Sequence, residues 1–373
     1  MGKKVYFLLF LIVVFSLTLS ASLLDIYKNG KIKFVPDPNF GKETEWDLYF
    51  PQGVLDIAFA KDGSFFATGM GNKACHCVYK FDKNGKFLKK IGRKGKGPGD
   101  LYHPGRLSIL DNKYLLVSNY GLERRISVFD LNGNFVKEVK TRNYVFGLAA
   151  LKGDYIAYLS WKSRRKRSNR YLKKYPVYIG NIRTGREKLV FSPQITEGMI
   201  PLTNYGYEVF IKTTFDKNLL ISYSRESTIK ILSIKGTLLK EIKIDIPKVK
   251  VTKEIKKKVI SGIKITGGDG SLKASNLVIF HDYAEGYENI EVDSEGNILV
   301  FYNNLRKMKG VLKFQVYNKN GEYVCDSEII LGKLKRQYRD RKFRICFNNG
   351  NAYCPVLEGE EDYKIIKVNL WEK

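Results

Sequence analysis

The sequence predicts an all-β fold, a six-bladed β-propeller with four-stranded blades, and three observations lead there. A strand–turn–strand unit recurs, with turn glycines at Gly85, Gly133, Gly185, Gly236 and Gly321, spaced by 48, 52, 51 and 85 residues. A second pair of apolar runs around an Asp/Asn/Gly/Lys turn precedes each copy, so each unit holds four strands. Tyr (24) and Phe (22) are abundant beside many Ile, Val and Leu, which favours strands over helices. Six units of roughly 50 residues match the period of propeller blades. Two packed sandwiches are the competing arrangement, but the paired hairpins run on without a linker.

The elements follow in order. Lys3 and Lys4 precede an uncharged apolar run, Val5 to Phe15, and then small residues Ser20, Ala21 and Ser22. Residues 1–22 are therefore expected to be a signal peptide, and 23–373 the propeller of an exported protein, periplasmic or extracellular. An uncleaved N-terminal anchor is the alternative. No Cys lies near the segment, so a lipoprotein anchor is not indicated. No later run is long enough to span a membrane, and no transmembrane domain is expected in the mature chain.

The first five hairpin pairs are 56–69 with 78–92, 106–119 with 126–140, 147–160 with 177–191, 213–225 with 229–243, and 289–303 with 314–328. In each second hairpin the glycine supplies a positive φ, and in four of the five an Asp or Asn before it favours the turn. The sixth unit, 341–356 and 364–370, has only three strands. The N-terminal stretch Trp46–Phe50 is expected to supply the fourth and so close the last blade. The insertion 245–288 precedes blade 5. Within it Thr252 can cap a short amphipathic helix, with Ile255, Val259 and Ile263 spaced by four and Gly262 near its end.

Residues 91–140 resemble the NHL-type six-bladed propellers. Gly92, Gly95, Gly97, Pro98, Gly99, Leu101 and Pro104 form the Gly-rich entry loop, and Arg125, Ile126, Val128, Phe129, Asp130 and Gly133 form the strand and turn. The Gly-Pro-Gly-Asp version is similar to exported six-bladed propellers of environmental and gut bacteria. Ser118-Asn119 departs from the usual Val-x-Asp, and blades 3 to 5 lack the Gly-rich loop. The resemblance implies a fold. It implies no activity, because propellers serve as binders, scaffolds and enzymes.

Charge bears on the ligand. The chain has a formal net charge of +27; Lys3 and Lys4 are its only charges in 1–22, so the mature chain keeps about +25. A field of this sign favours anionic partners: an anionic polysaccharide, or an acidic protein of the envelope. Lys-rich composition with solvated strand faces is the plainer explanation. Export argues against nucleic acid. Arg93, Lys94 and Lys96 lie on a loop rich in backbone N–H, and with Arg106, Arg124 and Arg125 they are the candidate ligand-binding residues. The basic stretch 163–174 is expected to tip a long hairpin, and 192–208 to line one mouth of the ring.

Catalytic signals are sparse. There is no Gly-x-Ser-x-Gly, no His-Glu-x-x-His and no phosphate-binding loop. Cys75-His76-Cys77 reads as structural thiols on one face of a strand, not as a zinc site. Cys346 and Cys354 flank an Asn-Gly turn and can pair only if register allows it. The expectation is a monomeric, non-catalytic binding module without a cofactor. The alternative is a metal-dependent propeller enzyme, of lyase or lactonase type, with a divalent metal in the central channel.

Overall fold

The computed structural model describes residues 22–70, 75–120, 124–160, 162–166, 170–198, 208–246, 250–261, 278, 280, 282–283, 286–302, 310–331, 335–336, 345–358 and 362–370. Residues 1–21 of the expected signal segment 1–22, with Gly262 and His281, lie outside them. Five antiparallel four-stranded blades appear in sequence order, each numbered from the channel outwards. Blade 1 is Val54–Phe59, Phe65–Gly69, Val78–Phe81 and Phe87–Ile91. Blade 2 is His103–Leu110, Tyr114–Tyr120, Arg125–Asp130 and Phe135–Lys140. Blade 3 is Gly147–Ala150, Tyr155–Leu159, Val177–Asn181 and Glu187–Phe191; blade 4 is Val209–Thr213, Leu219–Tyr223, Thr228–Leu232 and Leu238–Lys243. Blade 5 is Asn289–Val292, Ile298–Tyr302, Val311–Tyr317 and Tyr323–Ile330. In blade 6, Cys346–Asn348 and Lys335–Arg336 both pair with Asn351–Glu358, which pairs with Asp362–Asn369.

Six apolar cores hold the ring, one between each pair of neighbouring blades. Alternation along each strand explains this: successive side chains enter the cores on opposite sides. Tyr353 faces the blade 1 side while Ala352 and Cys354 face the blade 5 side.

The chain start corrects one expectation. Trp46–Phe50 is not the fourth strand of blade 6; Trp46–Leu48 form a 3₁₀ turn, and the Phe50 N–H donates to the Trp46 carbonyl at 3.0 Å. A strand would put Trp46, Leu48 and Phe50 on one face, yet Leu48 is 63% exposed while Phe50 is fully buried. Spacing by four is helical, and it turns both rings inward.

The N-terminal segment instead forms a strap around the rim. Helix α1 (Leu23–Lys28) starts with a Ser22/Asp25 capping box, and Tyr27 donates from its hydroxyl to Asp293 at 3.1 Å. Lys31–Lys33 pair in parallel with Glu328–Ile330 at the outer edge of blade 5. The Asp37 N–H then reaches the Lys367 carbonyl of blade 6 (2.8 Å), and the Gly41 N–H reaches the Asn84 carbonyl of blade 1 (2.7 Å). The strap lies where an outer strand of blade 6 would lie.

Two kinds of contact recur between neighbouring blades. The turn glycines of blades 2, 4 and 5 abut the outer strand of the blade before: a Cβ on Gly133 would lie 2.7 Å from Ile91, on Gly236 2.7 Å from Val190, and on Gly321 2.6 Å from Ile242. For Gly85 that neighbour is the strap's Gly41. A lysine from each of blades 1 to 4 donates to a turn carbonyl of the following blade. Lys80 reaches Leu131 (2.9 Å), Lys137 reaches Ile182 (2.7 Å), Lys188 reaches Lys235 (3.1 Å), and Lys240 reaches Asn320. Part of the basic excess is thus spent on holding blades together.

The cysteines differ from expectation. Cys75 and Cys77 are joined by a disulfide, in a loop ahead of Val78–Phe81 where strand alternation does not apply. Cys346 and Cys354 are not joined. Cys346 stands opposite Tyr353, so Cys354 is one register off and faces the other core. Helix α2 (Lys253–Ser261) forms in the insertion, and the Thr252 hydroxyl accepts from the Ile255 N–H at 3.3 Å. Lys256 is not fully solvated: its ammonium lies 5.8 Å over the Phe280 ring.

Candidate functional site

The first strands of all six blades line a central channel of about 670 Å³. At the end where those strands begin, here the loop face, the lining includes Asp56, Arg106, Glu208 and Glu288; deeper lie Lys212 and Glu291. Four carboxylates from blades 1, 4 and 5 thus meet two basic side chains, in a chain whose net charge is strongly positive.

These groups are organised. The Lys212 ammonium binds Glu291 at 2.6 Å, and the Asn289 amide donates to the other Glu291 oxygen at 2.9 Å. Burial by itself would lower the Lys212 pKa, but Glu291, with Cys346 and Asp56, holds it above the ordinary lysine value. Arg106 is a strut across the mouth. Its Nε donates to the Phe146 carbonyl of blade 3 (2.9 Å) and its Nη1 to Leu55 of blade 1 (3.4 Å), 4.0 Å from Asp56. Asp56 also accepts from the Leu107 N–H at 3.0 Å. Among the described residues no three His, Cys, Asp or Glu side chains are grouped to hold a metal ion.

The structure divides the six sequence-predicted residues. Arg106 is in the channel mouth. The Gly-rich loop, 92–102, joins blade 1 to blade 2 on the loop face and carries Arg93, Lys94 and Lys96 outward. Arg93 donates to Asp100 at 3.0 Å, and this bond, with the Gly97 N–H on the same carboxylate, lowers the Asp100 pKa. Arg125 differs from expectation. It is buried, with Nη1 at 2.7 Å from Glu138, and its guanidinium also donates to the Lys96 and Asp100 carbonyls (3.3 and 3.2 Å). It fastens the loop from behind. Neighbours on a strand point to opposite sides, so Arg124 stays exposed, over the Tyr144 ring and donating to the Arg142 carbonyl (3.2 Å).

Other basic segments share the loop face. Lys162–Lys166 and Arg170–Lys174 form a hairpin that extends the middle strands of blade 3 beyond the blade, and Gln194–Gly198 adds a third strand. The expected long hairpin is therefore present, and its two strands carry seven Lys and Arg. Most of 192–208 beyond Gly198 lies outside the described residues. Helix α2, with four lysines, sits in the connection from blade 4 to blade 5, which also lies at this end. A basic collar thus surrounds an acidic throat.

Two histidines meet at the collar as well. The His76 and His103 ring centroids are 5.2 Å apart, and the His76 Nδ1 is hydrogen-bonded to the Tyr102 carbonyl. Burial, then His76 and Lys94, lower the His103 pKa. Sequence reasoning missed this pair and the channel carboxylates. The available signal was a charge within an apolar first strand, Asp56 in VLDIAF and Glu291 in NIEV.

Comparison with known proteins agrees with the architecture. Among solved structures, a Bacteroides fragilis protein described as exported is 14% identical with a TM-score of 0.53, over 91% of this chain and 98% of that one. A member of the duf4221 family from Bacteroides vulgatus is 12% identical with a TM-score of 0.49, over 90% and 94%. Virginiamycin B lyase from Staphylococcus aureus is 12% identical with a TM-score of 0.42, over 85% and 95%. At 14% identity the first of these likenesses speaks of fold alone. No curated protein matches the chain. Residues 58–261, more than half of the chain and including the 91–140 segment, match DUF5128, described as a 6-bladed beta-propeller, and the protein belongs to that family.

Proposed function

We propose that this protein is an exported, non-catalytic binding module that holds an anionic polysaccharide, or an acidic envelope protein, across its loop face. The observation that carries this reading is the gathering of basic segments at one end of the ring: the Gly-rich loop, Arg124, the blade 3 hairpin and helix α2. Insertions on a rigid scaffold are where binding residues concentrate, and a one-sided positive field steers polyanions to that side. The turns at the opposite end are short, and the Asp and Glu beside their Lys and Arg leave them close to neutral.

The outer collar, not the channel, is the seat for the anion in this reading, because the channel lining has more carboxylates than basic groups. Lys94, Lys96 and Arg124 are the residues to test, Arg93 being shared with Asp100 and Arg125 being buried. The experiment is binding of the mature protein to a sulfated or uronate polysaccharide over a salt series. A Lys94→Glu/Lys96→Glu variant is expected to bind about tenfold more weakly, with a shallower salt dependence, since exposed charges act through a screened field. An unchanged affinity in that variant, or no binding by the parent at low salt, would overturn the proposal.

A further inference from the structure

We propose that His76 and His103 form a two-imidazole site for a divalent transition-metal ion of the zinc or copper class. The chain has three histidines in 373 residues, and two of them bring their rings together across a blade boundary, with an interplanar angle of 41°. His76 is in the loop between the second and third strands of blade 1. His103 opens the first strand of blade 2. Nothing in the propeller repeat requires either residue, since the corresponding positions of the other blades carry no histidine.

Three features suit ligation. The first is separation. Two imidazoles on one tetrahedral ion, with metal–nitrogen bonds of about 2.0–2.1 Å, place their ring centres roughly 5–5.5 Å apart, and these are 5.2 Å apart. The second is orientation. His76 donates from Nδ1 to the Tyr102 carbonyl, which leaves the lone pair on Nε2; metal-binding histidines are commonly fixed by such a bond from the other ring nitrogen. The third is a rigid mount. The Cys75–Cys77 disulfide brackets His76, with Cys77 buried in the core between blades 6 and 1. The Asn119 side-chain oxygen accepts from the backbone N–H of both Tyr102 and His103 (3.0 and 3.1 Å), which sets the other ring's backbone.

The chemistry of the pair selects the ion. Imidazole nitrogen suits zinc, copper and nickel, and copper(II) is expected to bind most tightly. Calcium and magnesium need oxygen donors. Two protein ligands leave the remaining coordination positions to water or to a ligand's own donor atoms. This inference does not rest on the polyanion reading.

The experiment is isothermal titration of the tag-free mature protein with zinc and copper(II) salts, magnesium serving as control, together with electron paramagnetic resonance of the copper-loaded form. One equivalent of each transition metal is expected, none of magnesium, and a copper spectrum with hyperfine splitting from nitrogen. His76→Ala and His103→Ala should each weaken binding at least about tenfold while keeping the parent's circular dichroism spectrum, and His281→Ala should leave binding unchanged. Absence of stoichiometric zinc and copper binding, or equal binding by the parent and both variants, would overturn the site. So would a loss confined to His281→Ala.

Discussion

The core between blades 1 and 2 and the core between blades 6 and 1 do the same job with different materials. The first is built from the two blades and the loop joining them: Ala58, Phe66, Val78, Ile91, Leu101, Leu107, Leu115 and Val117 among others. In the second, blade 6 supplies two of the described buried residues, Tyr353 and Ile365, and the strap supplies Phe40, Trp46 and Phe50. Trp46 stacks on Phe81 (5.1 Å), with Phe40 and Phe50 on either side (6.2 Å each). The first core is mostly aliphatic, with Phe66 and Phe129 among its buried side chains. In the second, rings from a non-repeating segment join Phe65, Tyr79 and Phe81 of blade 1, each burying more area per residue than an aliphatic side chain.

The largest expected effect comes from breaking the second core. Trp46→Ala should cost about 3–5 kcal/mol, from lost burial and the cavity left behind. Leu115→Ala, in the first core, should cost about 2–5 kcal/mol. The two differ in what is released. Limited proteolysis of the Trp46 variant is expected to cut within 23–50 under conditions where the Leu115 variant stays intact. Cutting at the same sites and rates in both would mean that the strap is not held by its aromatic residues.

A smaller effect sharpens the comparison at the turns. Gly133→Ala meets a positive φ and Ile91 at 2.7 Å, whereas Gly185→Ala meets a positive φ of 69° with nothing within 4 Å. The Gly185 variant should lose about 1 kcal/mol and the Gly133 variant clearly more, by denaturant unfolding. Equal losses would show that the turn glycines answer only to backbone conformation. The smallest effect belongs to the lysine contacts. Lys137→Met removes one donor to a carbonyl and should cost about 1 kcal/mol. Because its partner is a neutral carbonyl, the cost should hardly change with salt, in contrast to the polyanion affinity.

The repeat was legible because its determinants are local. A turn glycine, the Asp or Asn before it and flanking apolar runs lie within about 15 residues of one another. The closure was not, because Phe40 meets Tyr353 and Asp37 meets Lys367 only when blade 6 is in place; for Trp46 and Phe50 the spacing by four was the hint that they form a turn. Among the candidate ligand residues, Arg93, Lys94, Lys96 and Arg124 are on the surface, as charge alone suggests. Alternation places Arg124 outside and Arg125 inside, but which of the pair turns in depends on Glu138 across the blade. The channel network joins Lys212 to Glu291 over 79 residues, and His76 meets His103 across a blade boundary; neither link has a local signature.

The strap also sets an order of events. The Leu23 N–H is bonded to Glu295, 272 residues further along, and the Asp37 N–H to Lys367 in the final strand. A ribosome produces these N-terminal residues first and their partners last, at roughly 5–20 residues per second. For that interval Phe40, Trp46 and Phe50 can pack on Phe65, Tyr79 and Phe81 of blade 1 but lack blade 6 on their other side. Contacts this distant along the sequence slow folding. The segment that seals the ring is therefore completed only when the last blade forms.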